Sequence, residues 1–153
     1  MQKESLGAVA YLRHSSAVSR GPIGIVGFCG GGIKAVRLAL SAPAIGAVVS
    51  FYGPPALPAQ YKHPTDPIVD LLDVGARLRT PLQIHYGTAD YAVRGADVER
   101  LADEVRSAGT PVEVHAYEGA THAFYDRREL PANAAAARAA HDLYLRFLHE
   151  RLG

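Results

Sequence analysis

The chain has 153 residues, of which 48% are hydrophobic and 20% are charged, with a formal net charge of +1. This length and composition predict one globular domain over residues 1–153, and the near-neutral charge with scattered basic residues argues against nucleic-acid binding. One cysteine, no signal-peptide pattern and no apolar run of roughly 20 residues predict a cytoplasmic protein that does not enter a membrane.

Apolar periodicity and turn residues predict the elements in chain order. The predicted helices cover residues 2–14, 33–42, 68–79, 95–108 and 131–152. The predicted strands cover residues 22–28, 45–52, 81–86 and 111–117. Between the second strand and the third helix, residues 53–67 contain five prolines and are predicted to form a long loop. The alternation of strands and helices indicates the α/β class, a mostly parallel sheet with helices on both faces.

A glycine-rich turn joins the first strand to the next helix, and Cys29 lies in it. The pattern Gly-x-Cys-x-Gly between a strand and a helix is typical of a nucleophile elbow. We expect the turn to be too tight for a side chain at position 27 or 31, so that Gly27 and Gly31 let the backbone approach closely. The helix N-terminus favours a thiolate, and the backbone N–H of Gly30 is the predicted oxyanion-hole donor.

Two alternatives to a nucleophile are open for this turn. A glycine-rich turn also binds phosphate, but the G-x-G-x-x-G spacing is not matched, and Lys34 is followed by Ala35 rather than the Ser or Thr of a P-loop. The other alternative is a buried structural cysteine in a helix-packing turn, since free cysteines are often buried.

A base and an acid follow Cys29 in the chain order of α/β-hydrolases. Asp90 comes after the third predicted strand, and His122 lies in the loop after the fourth. Because the carboxyl ends of parallel strands share one edge, these residues predict a Cys29–Asp90–His122 triad. As alternatives, Asp90 caps the following helix and His122 is an ordinary loop histidine.

Four segments together resemble the dienelactone hydrolase family: GIVGFCGGG (24–32), FYG (51–53), LRTPLQIHYGTADYAV (78–93) and YEGATHAFYD (117–126). The resemblance covers nearly the whole chain. It implies an α/β-hydrolase fold shortened at the N-terminus, with the triad above. It also implies no metal, no organic cofactor, and a small-molecule substrate such as a cyclic enol-lactone or another small carboxylic ester.

The sequence departs from the family pattern in one respect, ahead of its first predicted helix. Family members carry strands and loops ahead of the helix that opens this chain, including a second oxyanion-hole N–H, an acidic residue that influences the cysteine, and an arginine that holds the substrate carboxylate. The first predicted strand, residues 22–28, would then expose an edge. We therefore expect either a fragment or a homo-oligomer that covers this edge.

The sequence thus predicts hydrolysis of a small ester or lactone through Cys29 and an acyl-enzyme. The predicted substrate-binding side chains are Tyr52, Arg94, Phe124 and Arg127. An ordinary surface role is the favoured alternative for both arginines, and plain packing is the alternative for Tyr52. No helical His pairing typical of a zinc site is present in the sequence. The alternative function is a catalytically silent homologue that acts as a binding or assembly subunit.

Overall fold

Strands and helices alternate through residues 2–57 and 70–153, the part of the chain that the computed structural model describes. The strands are β1 (Ile23–Phe28), β2 (Ile45–Phe51), β3 (Leu82–Gly87) and β4 (Val112–Tyr117). The helices are α1 (Gln2–His14), α2 (Gly30–Ala39), α3 (Gly95–Ser107) and α4 (Pro131–Leu152). None of these helices combines the length and apolarity needed to cross a bilayer.

The described strands form one parallel sheet in the order β1-β2-β3-β4. Phe28 at the end of β1 lies beside Phe51 of β2, and Phe51 lies beside His85 of β3. Because every strand runs in the same direction, the loops that follow all four strands emerge at one edge. The predicted parallel α/β sheet is confirmed.

Helices cover both faces of this sheet, as predicted. Side chains of consecutive strand residues point to opposite faces. Phe51 packs edge-on against Tyr144 of α4, with ring centroids 5.7 Å apart, so α4 lies on the Phe51 face. Ser50 points the other way, toward Gly32 of α2. α3 contacts β4 and the turns that follow β2.

Two predicted helices differ from the observed elements. α2 begins at Gly30 rather than at residue 33, because the Gly32 N–H donates to the Cys29 carbonyl (2.9 Å) and closes the first turn. The helix predicted over 68–79 is wrong within its described part, which holds two short 3-10 turns, Leu71–Asp73 and Gly75–Arg77. Val74 separates them with a non-helical backbone, and a Cβ at Gly75 would lie 2.8 Å from the ends of the Leu101 and Glu104 side chains of α3.

His85 lies in the core between the sheet and α4, with no exposed surface. The Tyr117 hydroxyl donates to its Nδ1 (2.8 Å), and its Nε2 donates to the side-chain carbonyl of Gln83 (2.8 Å). Its ring stacks on Phe51 at 4.5 Å. Burial, with a smaller contribution from nearby His115, lowers the pKa of His85 from 6.5 to about 3. The imidazole is therefore neutral in the folded protein.

This neutral histidine predicts a loss of stability in acid. Between pH 6.5 and about 3, the unfolded chain binds a proton at His85 that the folded chain does not, so the free energy of unfolding falls as pH falls. The slope from this one group approaches about 1.4 kcal/mol per pH unit. Urea unfolding of His85→Gln should show a smaller loss between pH 7 and pH 4 than the unaltered chain.

The matched control is His149→Gln, because His149 is exposed near the end of α4. We expect this variant to follow the unaltered chain at every pH. Equal pH slopes for His85→Gln and His149→Gln would contradict the role given to His85.

Candidate active site

Cys29 occupies a strained turn between β1 and α2. Its backbone angles are φ 52° and ψ −123°, a region that residues with a side chain rarely adopt. Hydrogen bonds on both sides hold this conformation. The Cys29 N–H donates to the Phe51 carbonyl of β2 (2.9 Å), and its own carbonyl accepts from Gly32 (2.9 Å). The turn therefore presents the thiol at the carboxyl edge of the sheet, where it is exposed.

The glycines of this turn have different roles. A Cβ on Gly27 would overlap the backbone of Gly31 and Gly32, so Gly27 is required as predicted. The prediction for Gly31 is wrong, because a Cβ there would meet no atom within 4 Å. Gly32 carries the second constraint, since a Cβ at this position would press on Ser50 and on Gly53. The helix therefore approaches β2 at Gly32, one residue later than the motif indicates.

Of the three predicted triad residues, His122 lies within hydrogen-bonding distance of the other two. His122 Nε2 is 3.3 Å from the Cys29 Sγ. His122 Nδ1 lies 3.0 and 2.9 Å from the two carboxylate oxygens of Asp90. The Asp90 side chain is fully buried, and the His122 side chain is 14% exposed. This arrangement can pass a proton from the thiol to the imidazole while the carboxylate orients the ring.

Asp90 also closes the turn in which it lies. Its Oδ1 accepts hydrogen bonds from the backbone N–H of Ala92 (2.7 Å) and Val93 (3.2 Å). The alternative that Asp90 caps the next helix is wrong, because the N-cap of α3 is Arg94. A buried carboxylate needs several donors, and the turn and the imidazole provide them together.

The loop that carries Asp90 and the loop that carries His122 are joined by their backbones. The Thr88 N–H donates to the Tyr117 carbonyl (2.9 Å), and the Ala89 N–H donates to the Ala120 carbonyl (3.0 Å). In return, the Gly119 N–H donates to the Thr88 hydroxyl (2.9 Å). A Cβ at Gly87 would overlap the Ala120 carbonyl, so this close approach requires glycine. The two loops therefore hold each other in place.

Two tyrosine rings flank the imidazole of His122. The Tyr52 ring lies edge-on to it at 5.3 Å, and the Tyr91 ring lies at 5.2 Å. Tyr52 is buried and has a positive φ of 40°, and its hydroxyl donates to Asp126 (3.3 Å). Burial, followed by the charge of Asp126, raises the pKa of the Tyr52 phenol. Sequence reasoning missed Tyr91, which is 84% exposed, although it directly follows Asp90.

The other predicted site residues occupy varied positions. Phe124 is buried in the core and packs against Tyr52 and Tyr117. Arg94 and Arg127 are exposed, and the Arg94 Nε lies 3.9 Å from a carboxylate oxygen of Asp97. Gly30 is the first residue of α2, so its N–H has no partner within the helix. Within the described ranges, no three His, Cys, Asp or Glu side chains are grouped to hold a metal.

Sequence reasoning also missed Asn133, in the first turn of α4. It is buried, and its side-chain amide bonds to Thr121, the residue before His122. The signal was its position on the buried stripe of α4, which continues through Ala136, Ala137 and Ala140. An amide on an apolar stripe is costly to bury unless another segment provides its partners.

The chain is similar in sequence to known proteins. The model of the dienelactone hydrolase family matches residues 2–152. A Bradyrhizobium protein named as a 2-oxo-3-(5-oxofuran-2-ylidene)propanoate lactonase is 32% identical over 148 residues, which cover 95% of this chain and 58% of that protein. A Methylorubrum extorquens protein named as a carboxymethylenebutenolidase is 32% identical over 118 residues, which cover 77% of this chain and 39% of that protein. The chain thus spans about two fifths to three fifths of the length of these curated relatives.

Solved structures share the fold. A Klebsiella pneumoniae protein named as a dienelactone hydrolase aligns with a TM-score of 0.78 at 24% identity, over 97% of this chain and 58% of that chain. A Pyrococcus horikoshii acylaminoacyl peptidase aligns with a TM-score of 0.77 at 18% identity, over 99% of this chain and 27% of that chain. The described sheet and helices therefore correspond to a shortened α/β-hydrolase fold.

The glycine geometry predicts different effects for two neighbouring substitutions. Gly27→Ala forces a methyl group into the backbone of α2, and overpacking of this kind costs about 1–3 kcal/mol. Gly31→Ala meets open space on a helix, where alanine is favoured over glycine by up to about 1 kcal/mol. Urea unfolding should therefore show a destabilised Gly27→Ala variant and an unchanged or more stable Gly31→Ala variant. The reverse order of stability would refute this account of the elbow.

Proposed function

The chain belongs to the dienelactone hydrolase family, and from this membership we propose that it hydrolyses a small carboxylic ester or lactone through the Cys29 thiolate. The family match confirms the resemblance found in the sequence. The observation that carries the proposal is the line of short contacts from the Asp90 carboxylate through His122 to the Cys29 Sγ. Acyl transfer by a thiol is promoted by a base beside the sulfur and by a third group that orients the base.

The proposed reaction proceeds in two halves. The His122 Nε2 accepts the thiol proton, and the Cys29 sulfur attacks the carbonyl carbon to give a tetrahedral oxyanion. The Gly30 N–H donates to that oxyanion at the N-terminus of α2. The C–O bond then breaks, and the imidazolium returns its proton to the leaving oxygen. A thioester remains on Cys29.

Water completes the cycle. His122 accepts a proton from the attacking water, and the hydroxide oxygen bonds to the thioester carbon. The C–S bond breaks, the carboxylic acid is released, and the leaving thiolate takes the proton back from the imidazolium, which restores the starting thiol and neutral His122. Throughout, the buried Asp90 carboxylate holds the Nδ1 hydrogen and stabilises the imidazolium. With a lactone, the leaving alcohol and the acid belong to the same product molecule.

A lactone is the substrate class that the relatives favour. The Bradyrhizobium relative is named as a lactonase. For a substrate with a carboxylate, the exposed Arg94 and Arg127 are the proposed contacts. Tyr52 and Phe124 are buried, so in this proposal they shape the site through the packing of His122 rather than through broad contact with substrate.

Ester hydrolysis and thiol alkylation test the proposed nucleophile together. We expect p-nitrophenyl acetate turnover to fall in step with carboxamidomethylation of Cys29 by iodoacetamide. Cys29→Ala should reduce turnover to background. His122→Gln and Asp90→Asn should each reduce kcat by about 10²- to 10⁴-fold, because general-base catalysis is lost or misdirected. His149→Gln, at an exposed site, is the matched control.

Two results would count against this function. One is turnover that survives complete alkylation of Cys29. The other is the same loss of turnover in His149→Gln as in His122→Gln, with both variants folded.

We also propose that two copies of the chain associate through β1. Within the described residues, β1 pairs with β2 alone. Because the Cys29 N–H bonds to β2, the alternate residues Gly24, Val26 and Phe28 turn their backbone groups to the outer edge. β1 carries no charged residue, and Phe28 is 40% exposed. Uncharged edge strands of this kind pair readily with another strand.

Sedimentation velocity at micromolar concentration tests this association. We expect a species larger than the monomer, which Val26→Pro should convert to monomer by removing an outward N–H. Val26→Ala is the control, since it trims the same side chain and keeps that N–H. A chain that sediments as a monomer at this concentration would rule out the proposal.

A further inference from the structure

Asn133 connects the start of α4 to the loop that carries His122. Its side chain has no exposed surface. Its Oδ1 accepts from the Thr121 N–H (2.9 Å). Its Nδ2 donates to the Thr121 hydroxyl oxygen (3.0 Å) and to the Arg127 carbonyl (2.7 Å). Both hydrogens of the amide and its oxygen are therefore used by one loop.

The Asn133 side chain does not cap the helix that carries it, because its hydrogen bonds go to the loop. Asn is a weak helix former because its side chain competes for backbone hydrogen bonds. The neighbouring buried positions of α4 are Ala136, Ala137 and Ala140, which suit a helix packed on a sheet. A buried amide stabilises the fold only if its partners are present and well placed. Here the partners belong to the loop, so the amide acts on the loop.

The two contact points of Asn133 bracket the catalytic segment. Thr121 directly precedes His122, and Arg127 ends the turn that follows it. Between them, Ala123 has a positive φ of 60°. Such a backbone conformation persists only where the surroundings hold it. Asn133 holds the segment at both ends, from the side of α4.

The opposite side of the loop is held by the turn after β3. The Ala120 carbonyl accepts from Ala89, and the imidazole of His122 bonds to Asp90. These contacts fix the ring and the residues before it. The hydrogen bonds of Asn133 hold the backbone of Thr121 from the other side. The loop is therefore held both by the turn after β3 and by α4.

We propose that Asn133 is a positioning residue that holds the backbone of the His122 loop, and thereby keeps Nε2 at the distance from the Cys29 Sγ that proton transfer requires. The inference rests on the proposed function, because it assigns Asn133 a role in that reaction. Displacements of about 1 Å in a catalytic group can cost about 10²-fold in rate. Asn133 touches neither substrate nor thiol, so its effect passes entirely through His122.

The test measures Cys29 alkylation by iodoacetamide as a function of pH, together with p-nitrophenyl acetate kinetics. The unaltered chain and His122→Gln define the alkylation profiles of the thiol with and without its base. We expect Asn133→Ala to move the profile toward that of His122→Gln. We also expect kcat to fall by about 10- to 100-fold while KM changes by less than about threefold.

A stability-matched control separates positioning from general loosening. Val98→Ala removes methyl groups from a fully buried site on α3, a helix that carries none of Cys29, Asp90 and His122. It should lower the melting temperature and leave the alkylation profile unchanged. If Asn133→Ala keeps the profile and kcat of the unaltered chain, or changes them only as Val98→Ala does, the inference is overturned.

Two milder substitutions, both at Thr121, provide the test if Asn133→Ala does not fold. Thr121→Val removes the hydroxyl that bonds to the Asn133 amide, and Thr121→Ser restores it. We expect a partial shift of the alkylation profile in Thr121→Val and its recovery in Thr121→Ser. An unshifted Thr121→Val would also overturn the inference. The alkylation profile needs no ester turnover, so failure of the proposed function and failure of this inference give different results.

Discussion

The buried carboxylate of Asp90 is the interaction on which the arrangement of the site depends. A charge without solvent exposure needs hydrogen-bond donors around it. The backbone of its own turn provides two, at Ala92 and Val93, and His122 provides the third from the loop after β4. One charged group thus joins two loops that are distant in the chain, and it aims the free nitrogen of the imidazole at Cys29.

Strained backbone conformations occur at the same edge of the sheet as this carboxylate. The non-glycine residues with positive φ in the described chain are Cys29, Tyr52 and Ala123. Each lies just after a strand or in a loop at the carboxyl edge of the sheet, and each is held by neighbouring segments. Cys29 donates to Phe51, Tyr52 donates to His85 (2.7 Å), and the Ala123 carbonyl accepts from Asp126 and Arg127. The parallel sheet supplies the anchors of Cys29 and Tyr52, and the loop after β4 supplies those of Ala123, so backbone conformations that are unfavourable in isolation persist.

Much of the fold was predictable because its signals are local. The apolar runs of β1 to β4 and the periodicity of α3 and α4 depend on neighbouring residues, and their bounds agree within a residue or two. The failures have tertiary causes. The segment after residue 70 follows the packing of Gly75 on α3 rather than its helical pattern. The constraint expected at Gly31 falls on Gly32, because the position of β2 decides which face of the helix is crowded.

By itself, the sequence determined the order of β1 to β4 and of α1 to α4, the elbow around Cys29, and the family to which the chain belongs. Residue types, spacing and chain order carry that information without any knowledge of long-range contacts. Only the tertiary structure decided that Asp90 bonds to its own turn and to His122 at once, that Tyr52 and Phe124 are buried, and that Asn133 reaches the loop beside His122. These are contacts between segments far apart in the chain, and the packing of α4 on the sheet creates the last of them.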